Sequence, residues 1–344
     1  MAKKRVTIKD LAEKMNLSVS TISRAMHDHP SIGKKTKQEI RQMAKKLGYY
    51  PNSVASNLRR NRTFSIGIIV PRVDVHFHSL VISGIEEVAY QAGYSVSIYQ
   101  TRDSLKREVA IVETLQKNMV EGVIACLALE TEQSGHFASF GDFNVPVVFY
   151  DRVSDELDVN KVVIDDFESA FNATEHLVKQ GCKRIAHISG KQTTGIFKSR
   201  LAGYKAALQK YDLPVDERLI VYTNDLSYDE GKDAANDFLK LKERPDGIFC
   251  ANDYTAISAI QVFMKAGYKI PEDVAVIGFS NYPISRILEP ALSSVDDRAF
   301  LMGKTAAKLL IRQIAEEDTG IASETIVLKT DLIIRDSSDR GKQG

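Results

Sequence analysis

Three polar residues directly follow apolar, β-rich segments of the chain: Asp151 follows PVVFY, Asn252 follows GIFCA and Ser280 follows VAVIGF. Ligands of parallel α/β sheets bind outside the carboxyl ends of the strands, so these side chains are candidate ligand contacts. Asn252 and Asp253 are also a candidate catalytic pair. Because no base or nucleophile accompanies them, helix capping or hydrogen bonding to a ligand is the better interpretation.

Two histidines, His76 and His78, flank Phe77 shortly after the first β-rich segment. They are a candidate metal pair, although isolated histidines on a loop more commonly form hydrogen bonds or contact a ligand. The sequence has no Gly-rich dinucleotide fingerprint after that segment, no phosphate-binding loop ending in Gly-Lys-Ser/Thr, and no HExxH or CxxC spacing. We therefore expect no catalysis, no cofactor and no metal.

The composition indicates a globular protein of two or more domains, because 344 residues with 44% apolar residues can bury a substantial core. The basic start MAKKRV is not followed by an apolar run, and no apolar stretch approaches the length that crosses a bilayer. We expect a cytoplasmic location. Cys126, Cys182 and Cys250 are then reduced core residues, with a disulfide or metal site as the alternative.

Residues 11–26, LAEKMNLSVSTISRAM, carry two short apolar stripes at helical spacing. Asn16 tolerates the left-handed conformation that ends a helix, and Ser18 is a suitable N-cap for a second helix. The pattern predicts a helix-turn-helix, whose second helix can lie in the major groove of DNA. Three side chains of this second helix are left free: Val19, Ser20 and Arg24.

Charge is distributed unevenly along the chain, although the net charge is only +1. Residues 1–62 contain 15 Lys and Arg against 4 Asp and Glu, a net charge of +11, and the remainder contains 31 against 41, a net charge of −10. A solvated charged face is the alternative, but the positive charge coincides with the helix-turn-helix. The asymmetry therefore indicates that the N-terminal part binds nucleic acid.

A third amphipathic helix is predicted in residues 34–49, with Ile40, Met43 and Leu47 facing inward and Gly48 ending it. Residues 50–63 then form a linker that is too short for a stable isolated helix. From Thr63 onward, β-rich segments alternate with amphipathic helices. The predicted fold class is α/β, with a small all-α three-helix head, a hinge, and two doubly wound parallel-sheet subdomains.

Several segments, in their order and spacing, resemble the LacI family of bacterial transcription regulators. These are VTIKDLAEKMNLSVSTISRAM, LGYYPNSVASNLRR, SIGIIVP, GIEEVAYQAGY, YDR, VVIDD, HLVKQGCKRIAHISG, SRLAGYKAAL, ANDYTAI, VAVIGFSN and PALSSVDD. The resemblance covers nearly the whole chain. It implies a DNA-binding head, a hinge and a core similar to periplasmic sugar-binding proteins, working as a homodimer or tetramer.

The expected domain limits are 1–50 for the head, 51–62 for the hinge and 63–338 for the core, followed by a polar tail at 339–344. The C-terminal segment IIRDSSDRGKQG is expected to be polar and frayed. Within the core we expect an N-subdomain of about 63–164 and 296–325, and a C-subdomain of about 165–295 and 326–338. The tail shows no leucine heptad of the kind that forms a tetramerising helix.

The resemblance assigns DNA contacts to three groups of residues. Val19 and Ser20 occupy the variable base-reading positions, and Arg24 matches a groove arginine whose planar fork suits guanine. Backbone-phosphate contacts are assigned to Thr7, Thr21, Ser23 and Thr36, with helix capping and solvation as the alternative. In the hinge, the resemblance places Asn52, Ala55 and Leu58 along the minor groove, where Leu58 would wedge between bases; ordinary helix packing is its alternative.

The resemblance assigns effector contacts to Phe77, His78, Asp151, Arg200 and Asn252. Arg200 is the strongest candidate, because a guanidinium fork can hold hydroxyls, a carboxylate or a phosphate; a surface arginine that opens a helix is the alternative. Two features depart from the family pattern. Ser280 and Asn281 replace a carboxylate that many relatives have, and Leu226 replaces an aromatic ring, for which Tyr228 is a possible substitute. A neutral Ser280 leaves room for an anionic ligand.

The expected function is that of a dimeric, sequence-specific DNA-binding regulator, most commonly a repressor in this family, that binds a pseudo-palindromic operator. Its expected effector is a sugar, a sugar phosphate or a related metabolite. Activation, and a corepressor in place of an inducer, stay open. A solute-binding protein would lack the basic head, and a sugar kinase fused to a helix-turn-helix would need phosphate-binding loops and a catalytic base.

Overall fold

The computed structural model describes residues 6–49, 62–316 and 322–341. The chain divides into two compact units, Met1–Thr63 and Phe64–Gly344, here called the head and the core. No helix in the described parts of the chain is long and apolar enough to cross a membrane.

Within residues 6–49, the described part of the head contains three helices: α1 (Ile8–Met15), α2 (Val19–Met26) and α3 (Lys34–Leu47). Leu11, Ile22 and Ile40, one from each helix, are fully buried against one another. Asn16 ends α1 in the left-handed conformation with φ 53°, and Ser18 caps α2. Gly48 ends α3 with φ 68°. The predicted helix-turn-helix and third helix are therefore confirmed.

The first lobe of the core contains a parallel six-stranded sheet. Its strands are β1 (Ser65–Val70), β2 (Ser95–Gln100), β3 (Gly122–Ala125), β4 (Val147–Tyr150), β5 (Asn160–Ile164) and β11 (Thr325–Leu328). The strand order is β11-β5-β4-β3-β1-β2. Its helices are α4 (His76–Gln91), α5 (Leu105–Lys117) and α10 (Ala299–Ala315). The strands β1, β3 and β4 are almost entirely buried because helices cover both faces of the sheet.

The second lobe repeats this architecture. Its strands are β6 (Ile185–Ser189), β7 (Ile220–Tyr222), β8 (Gly247–Cys250), β9 (Ala275–Phe279), β10 (Ser293–Asp296) and β12 (Asp331–Ile333). The strand order is β12-β10-β9-β8-β6-β7, and β12 alone of the described strands is antiparallel to its neighbour. Its helices are α6 (Asp166–Lys179), α7 (Gly195–Lys210), α8 (Tyr228–Lys240) and α9 (Asp253–Lys265). The predicted α/β class with two parallel-sheet subdomains is confirmed.

In residues 62–316 and 322–341 the chain crosses between the lobes three times, and the third crossing differs from the prediction. Strand β11 pairs in parallel with β5, with Ile326 opposite Val162, so residues 326–328 belong to the first lobe. The predicted limit between 325 and 326 is therefore wrong. Only Lys329 and Thr330 separate β11 from β12, and two apolar strands so close in sequence do not reveal which sheet each one joins.

The polar C-terminal segment, described as far as residue 341, packs on the second lobe and is not frayed. Ser337 and Ser338 are fully buried. Arg340 donates hydrogen bonds to the carbonyls of Pro271 (2.7 Å) and Asp246 (2.8 Å). The predicted frayed tail is wrong for residues 339–341, because its polar groups bond to backbone carbonyls instead of water. Elsewhere, the burial predicted for Cys126, Cys182 and Cys250 is confirmed.

Candidate functional sites

The second helix of the head presents a polar surface opposite its buried side. Ile22 and Ala25 are fully buried, whereas Ser20 and Arg24 are exposed and Val19 is 41% exposed. An exposed valine at the start of a helix leaves an apolar group available for contact with a thymine methyl. The side chains predicted to be free for base contacts are thus on the accessible face of α2.

The hydroxyls at the start of α2 form a local network. The Ser18 Oγ accepts a hydrogen bond from the backbone N–H of Thr21 at 3.1 Å. It also lies 2.7 Å from the Ser20 Oγ and 2.8 Å from the Thr21 Oγ1. The Ser20 and Thr21 hydroxyls therefore already form hydrogen bonds within the head, and their base and phosphate contacts stay predictions.

Thr7 occupies the N-cap of α1 in a capping box. Its Oγ1 accepts from the Asp10 N–H at 3.3 Å, and the Thr7 N–H donates to the Asp10 Oδ2 at 2.7 Å. The capping alternative is thus what the structure shows for this side chain. Ser23 and Thr36 are half-buried, and their phosphate contacts, like that of Thr7, stay predictions.

The first turn of α3 has no side-chain cap, because its N-cap residue is Gly33. Lys34 and Lys35 begin this helix, where positive side chains oppose the helix dipole and an anion is favourable. The preceding loop is held by Asp28, which pairs with Lys37 at 3.0 Å and Arg41 at 3.3 Å. These two partners lower the pKa of the Asp28 carboxyl. The hinge residues Asn52, Ala55 and Leu58 lie outside the described residues.

A cavity of about 650 Å³ lies between the two lobes of the core. The first lobe contributes Asp151 and Arg152 to its lining, and the second contributes Asp166, Thr194 and Lys198. The parallel strands of both lobes end toward this cleft, as expected for α/β folds. The cavity volume matches that of small-molecule sites.

Asp151 follows β4 in the left-handed conformation, with φ 58°, and its side chain is only 9% exposed. One carboxylate oxygen, Oδ2, lies 3.7 Å from the Cys126 Sγ and 3.9 Å from the Arg152 Nε. Arg152 instead donates its close hydrogen bond, at 2.6 Å, to Asp103. Burial raises the pKa of Asp151, and the nearby guanidinium groups of Arg152 and Arg200 oppose that rise.

Arg200 is buried in the second lobe, which excludes the surface alternative. Its Nε donates to the Asp166 Oδ1 at 2.7 Å and its Nη1 donates to the Ala251 carbonyl at 2.8 Å. The guanidinium carbon lies 3.6 Å from the centre of the Phe279 ring. Burial raises the pKa of Asp166 to about 6, although Arg200 opposes the rise. Asp166, at the start of α6, was not predicted as a site residue.

Close packing of α7 on α6 brings Arg200 to Asp166. A Cβ atom at Gly203 would overlap the backbone carbonyl of Phe167, so this approach requires glycine. The glycine stands in the SRLAGY segment, three residues after Arg200. That spacing puts both residues on one face of α7.

Asn252 and Leu226 are joined to each other. Asn252 caps α9 by accepting from the Thr255 N–H at 2.9 Å, and its Nδ2 donates to the Leu226 carbonyl at 2.8 Å. Leu226 is buried beside Phe197 and has φ 54°. Neither side chain is among the residues that line the cavity of about 650 Å³, and their effector contact stays a prediction. Tyr228 is 38% exposed and donates a hydrogen bond to Gln261 on α9.

A carboxylate that the sequence reasoning missed lies next to Ser280. Asp297 follows β10, is only 4% exposed and interacts with Ser280 and Arg200. Burial raises the pKa of Asp297 to about 8, and the hydrogen bond from Ser280 and the charge of Arg200 oppose the rise. Ser280 is therefore not the only side chain at this strand edge, because a second strand end supplies a carboxyl group; that Ser280 leaves room for an anionic ligand stays a prediction. The signal was the VDD segment after a β-rich run.

The three residues at the start of α4 have different surroundings. Phe77 and His78 are buried, and the His78 Nδ1 lies 3.5 Å from the Tyr150 hydroxyl. Burial lowers the pKa of His78 well below its usual range, so the ring is neutral. His76 instead packs edge-on against Tyr282 of the second lobe, with ring centres 5.4 Å apart. No group of three metal-binding side chains occurs among the described residues.

Two family models match the sequence. "Bacterial regulatory proteins, lacI family" matches residues 7–52, and "Periplasmic binding protein-like domain" matches residues 174–338. The transcriptional repressor PurR of Mannheimia succiniciproducens is 30% identical over 96% of this chain and 98% of its own length. The chain belongs to the lacI family. The NTD biosynthesis operon regulator NtdR of Bacillus subtilis is 31% identical over 96% of this chain and 99% of its own length.

Solved structures of the family agree with this fold. A complex of the transcriptional regulator CelR with cellobiose is 27% identical, covers 97% of this chain and 100% of that chain, and has a TM-score of 0.72. The lac repressor dimer bound to operator and the anti-inducer ONPF covers 97% and 99%, with 24% identity and a TM-score of 0.87, and it supports the fold alone. This lacI-family protein is a DNA-binding transcriptional regulator with an effector-binding core.

Proposed function

We propose that the regulator is a repressor that binds a pseudo-palindromic operator as a homodimer and responds to a carbohydrate-derived metabolite in the interlobe cleft. The cavity of about 650 Å³ that both lobes line carries the proposal. A ligand there touches both lobes at once, so it binds one lobe arrangement better than another.

For the DNA-binding half, we assign base reading to Val19, Ser20 and Arg24. Their exposure on α2 and the +11 charge of residues 1–62 support the assignment. Thr7, Thr21, Ser23 and Thr36 are assigned to backbone phosphates. Asn52, Ala55 and Leu58 are assigned to the minor groove, with 51–62 as the hinge.

For the effector-binding half, we assign the central effector contacts to Asp151, Arg200 and Ser280. We add Asp166 and Asp297 to these contacts. Phe77, His78, Leu226 and Asn252 are assigned to the walls. The cellobiose in the CelR complex supports a carbohydrate-derived effector.

Coupling between the sites follows from the three crossings between the lobes. Rotation about these crossings changes the separation of the two lobes, so the core of the proposed regulator has two arrangements. The ratio of the ligand's affinities for the two arrangements then sets the free energy that couples ligand binding to operator binding. The proposed regulator is cytoplasmic, forms no catalytic site and needs no cofactor; a tetramer is the alternative assembly.

Selection from random duplex DNA with the purified full-length protein tests the DNA-binding half. We expect enrichment of a sequence with two mirrored half-sites. A variant without residues 1–62 should lose this enrichment and retain ligand-induced thermal stabilisation. Recovery of unrelated sequences by the full-length protein would contradict the proposal, and turnover of a sugar by the core would instead support an enzyme.

A screen of sugars and sugar phosphates tests the effector half. A compound that raises the melting temperature of the protein should also change its affinity for the selected operator, because the two sites are linked. A compound that stabilises the protein without changing operator affinity would contradict effector control at this cleft.

A further inference from the structure

The loop that follows β3 brings one apolar side chain of the first lobe against the second lobe. Phe197, Leu226 and Ala251 of the second lobe form a small buried cluster. Leu129, which belongs to the first lobe, packs against this cluster, as does Ile196 of the second lobe. The contact therefore joins the two lobes directly, through apolar side chains whose burial stabilises this lobe arrangement.

Hydrogen bonds within the first lobe fix the position of Leu129. Its backbone N–H donates to the Asp103 Oδ1 at 3.1 Å. The Ala128 N–H and the Thr131 hydroxyl donate to the two carboxylate oxygens of Glu108, at 2.7 Å and 2.6 Å. Glu108 lies on α5 and is fully buried. The loop is therefore attached to the first lobe and moves with it.

The segment that carries Leu226 is attached to the second lobe in the same way. The Leu226 carbonyl accepts a hydrogen bond from the Asn252 Nδ2 at 2.8 Å. The N–H groups of Asn224 and Asp225 donate to the Glu230 carboxylate at 2.8 Å and 3.0 Å. Because each side of the contact is bonded to its own lobe, rotation of one lobe against the other separates the two sides.

The contact lies beside the effector cavity. Ala128 and Thr131, which stand on either side of Leu129 in the sequence, line the cavity, and so does Ile196. Leu129 itself is not among the lining residues. A substitution at position 129 can therefore change the balance between lobe arrangements and leave the lining of the cavity in place.

A charge interaction accompanies the apolar contact and is weaker. Arg72 of the first lobe pairs with Asp74 at 2.7 Å, and the negative charge of Asp225 in the second lobe also contributes to the raised pKa of Arg72. The Arg72 side chain is 45% exposed, so water and salt screen this attraction. The apolar contact at Leu129 is the stronger of the two links.

We propose that Leu129 is an apolar latch, which holds the two lobes in this arrangement through direct protein contacts and so biases the equilibrium on which the effector acts. The proposal rests on the proposed function, because it describes the regulation of that same cleft. Truncation of Leu129 to alanine removes buried apolar atoms from the contact. It should shift the equilibrium toward separated lobes by about tenfold.

Single-molecule energy transfer between dyes on the two lobes tests the proposal. Lys106→Cys and Lys232→Cys, at exposed positions, place one dye on each lobe of the full-length protein. The native cysteines Cys126, Cys182 and Cys250 are buried. Mixing with excess unlabelled protein leaves one labelled protomer in a dimer. We expect a predominant population with closely spaced lobes and a minor one with separated lobes.

Substitutions at position 129 should change the ratio of the two populations in a graded way. Leu129→Met should leave the ratio nearly unchanged, because it conserves apolar volume. Leu129→Ala should shift it about tenfold toward separated lobes. Leu129→Asp should shift it further, because a carboxylate against the apolar cluster loses hydration. Each variant is compared after a cooperative melting transition has shown that it is folded.

Leu157→Ala is the matched control. Leu157 is partly buried, as Leu129 is, but it packs on an apolar cluster that lies entirely within the first lobe. The control should therefore leave the ratio unchanged. An unchanged ratio in Leu129→Asp overturns the latch, and so does a shift in Leu157→Ala as large as that in Leu129→Ala.

Operator binding separates failure of the latch from failure of the proposed function. A shifted ratio in Leu129→Ala with a changed affinity for the selected operator upholds both. A shifted ratio with unchanged operator affinity upholds the latch and refutes the coupling between the cleft and the operator.

Discussion

The ring of His76 packs edge-on against the ring of Tyr282, with centres 5.4 Å apart, and the two residues belong to different lobes. His76 begins α4 beside the first sheet, and Tyr282 follows β9 in the second. Burial lowers the pKa of His76, so the contact is between neutral rings at neutral pH. The pair is therefore a direct side-chain contact between the two lobes.

The first prediction concerns this contact. A double-mutant cycle of His76→Ala and Tyr282→Leu, measured by urea denaturation, should give a coupling free energy of about 0.5–1.5 kcal/mol, the range for edge-to-face ring pairs. The control cycle combines His76→Ala with Tyr254→Leu. Tyr254 lies in the same lobe as Tyr282 and contacts its ring. Additive effects of His76→Ala and Tyr282→Leu would show that the rings do not interact in solution.

The second prediction concerns the buried pair of Arg200 and Asp166. Arg200→Met should lower the free energy of unfolding by about 3 kcal/mol or more, because it leaves Asp166 as a buried carboxylate without its partner. Adding Asp166→Asn should recover part of the loss. Lys198→Met on the same helix is the control, since Lys198 is exposed. Equal stability of the Arg200→Met and Lys198→Met variants would argue against a buried pair.

The third prediction concerns Asp297. Because its pKa is about 8 in the folded protein and ordinary in the unfolded chain, the folded state holds this proton to higher pH. Its contribution to stability is therefore complete at acid pH and is lost as the pH rises toward 8. Between about pH 6.5 and pH 8, the free energy of unfolding should fall by about 1–2 kcal/mol from this residue.

Asp297→Asn should remove that part of the decline, as followed by urea denaturation at several pH values. Asp155→Asn, at an exposed carboxylate, should leave the decline unchanged. An identical pH profile for Asp297→Asn and the unmodified protein would mean that Asp297 is already ionised at neutral pH.

The fourth prediction concerns base reading by Arg24. Arg24→Ala should weaken binding to the selected operator by about 1–3 kcal/mol and affect random duplex less, because a bidentate contact to guanine discriminates between bases. Its melting temperature should be unchanged, since Arg24 is exposed. Lys46→Ala, at the exposed end of α3, is the control. Equal losses on operator and random DNA would assign Arg24 to phosphate contact.

Local sequence was sufficient to predict the helices and the turn of the head. The positions of Asn16, Ser18 and Gly48 predicted both the turn and the end of the third helix, because caps depend on residues only a few positions apart. Local sequence also carried the capping alternative given for Thr7. Its spacing from Asp10 forms a capping box, while the family resemblance pointed only to phosphate.

The sequence by itself determined the alternation of strands and helices, the basic head, the family and the strand-end positions of Asp151, Asn252 and Ser280. Only the tertiary structure decided that Asp297 lies beside Ser280 and that Asp166 pairs with Arg200. It also decided that β11 joins the first sheet. These relationships join residues far apart in the chain, and they arise from strand order and helix packing, which no local pattern of residues specifies.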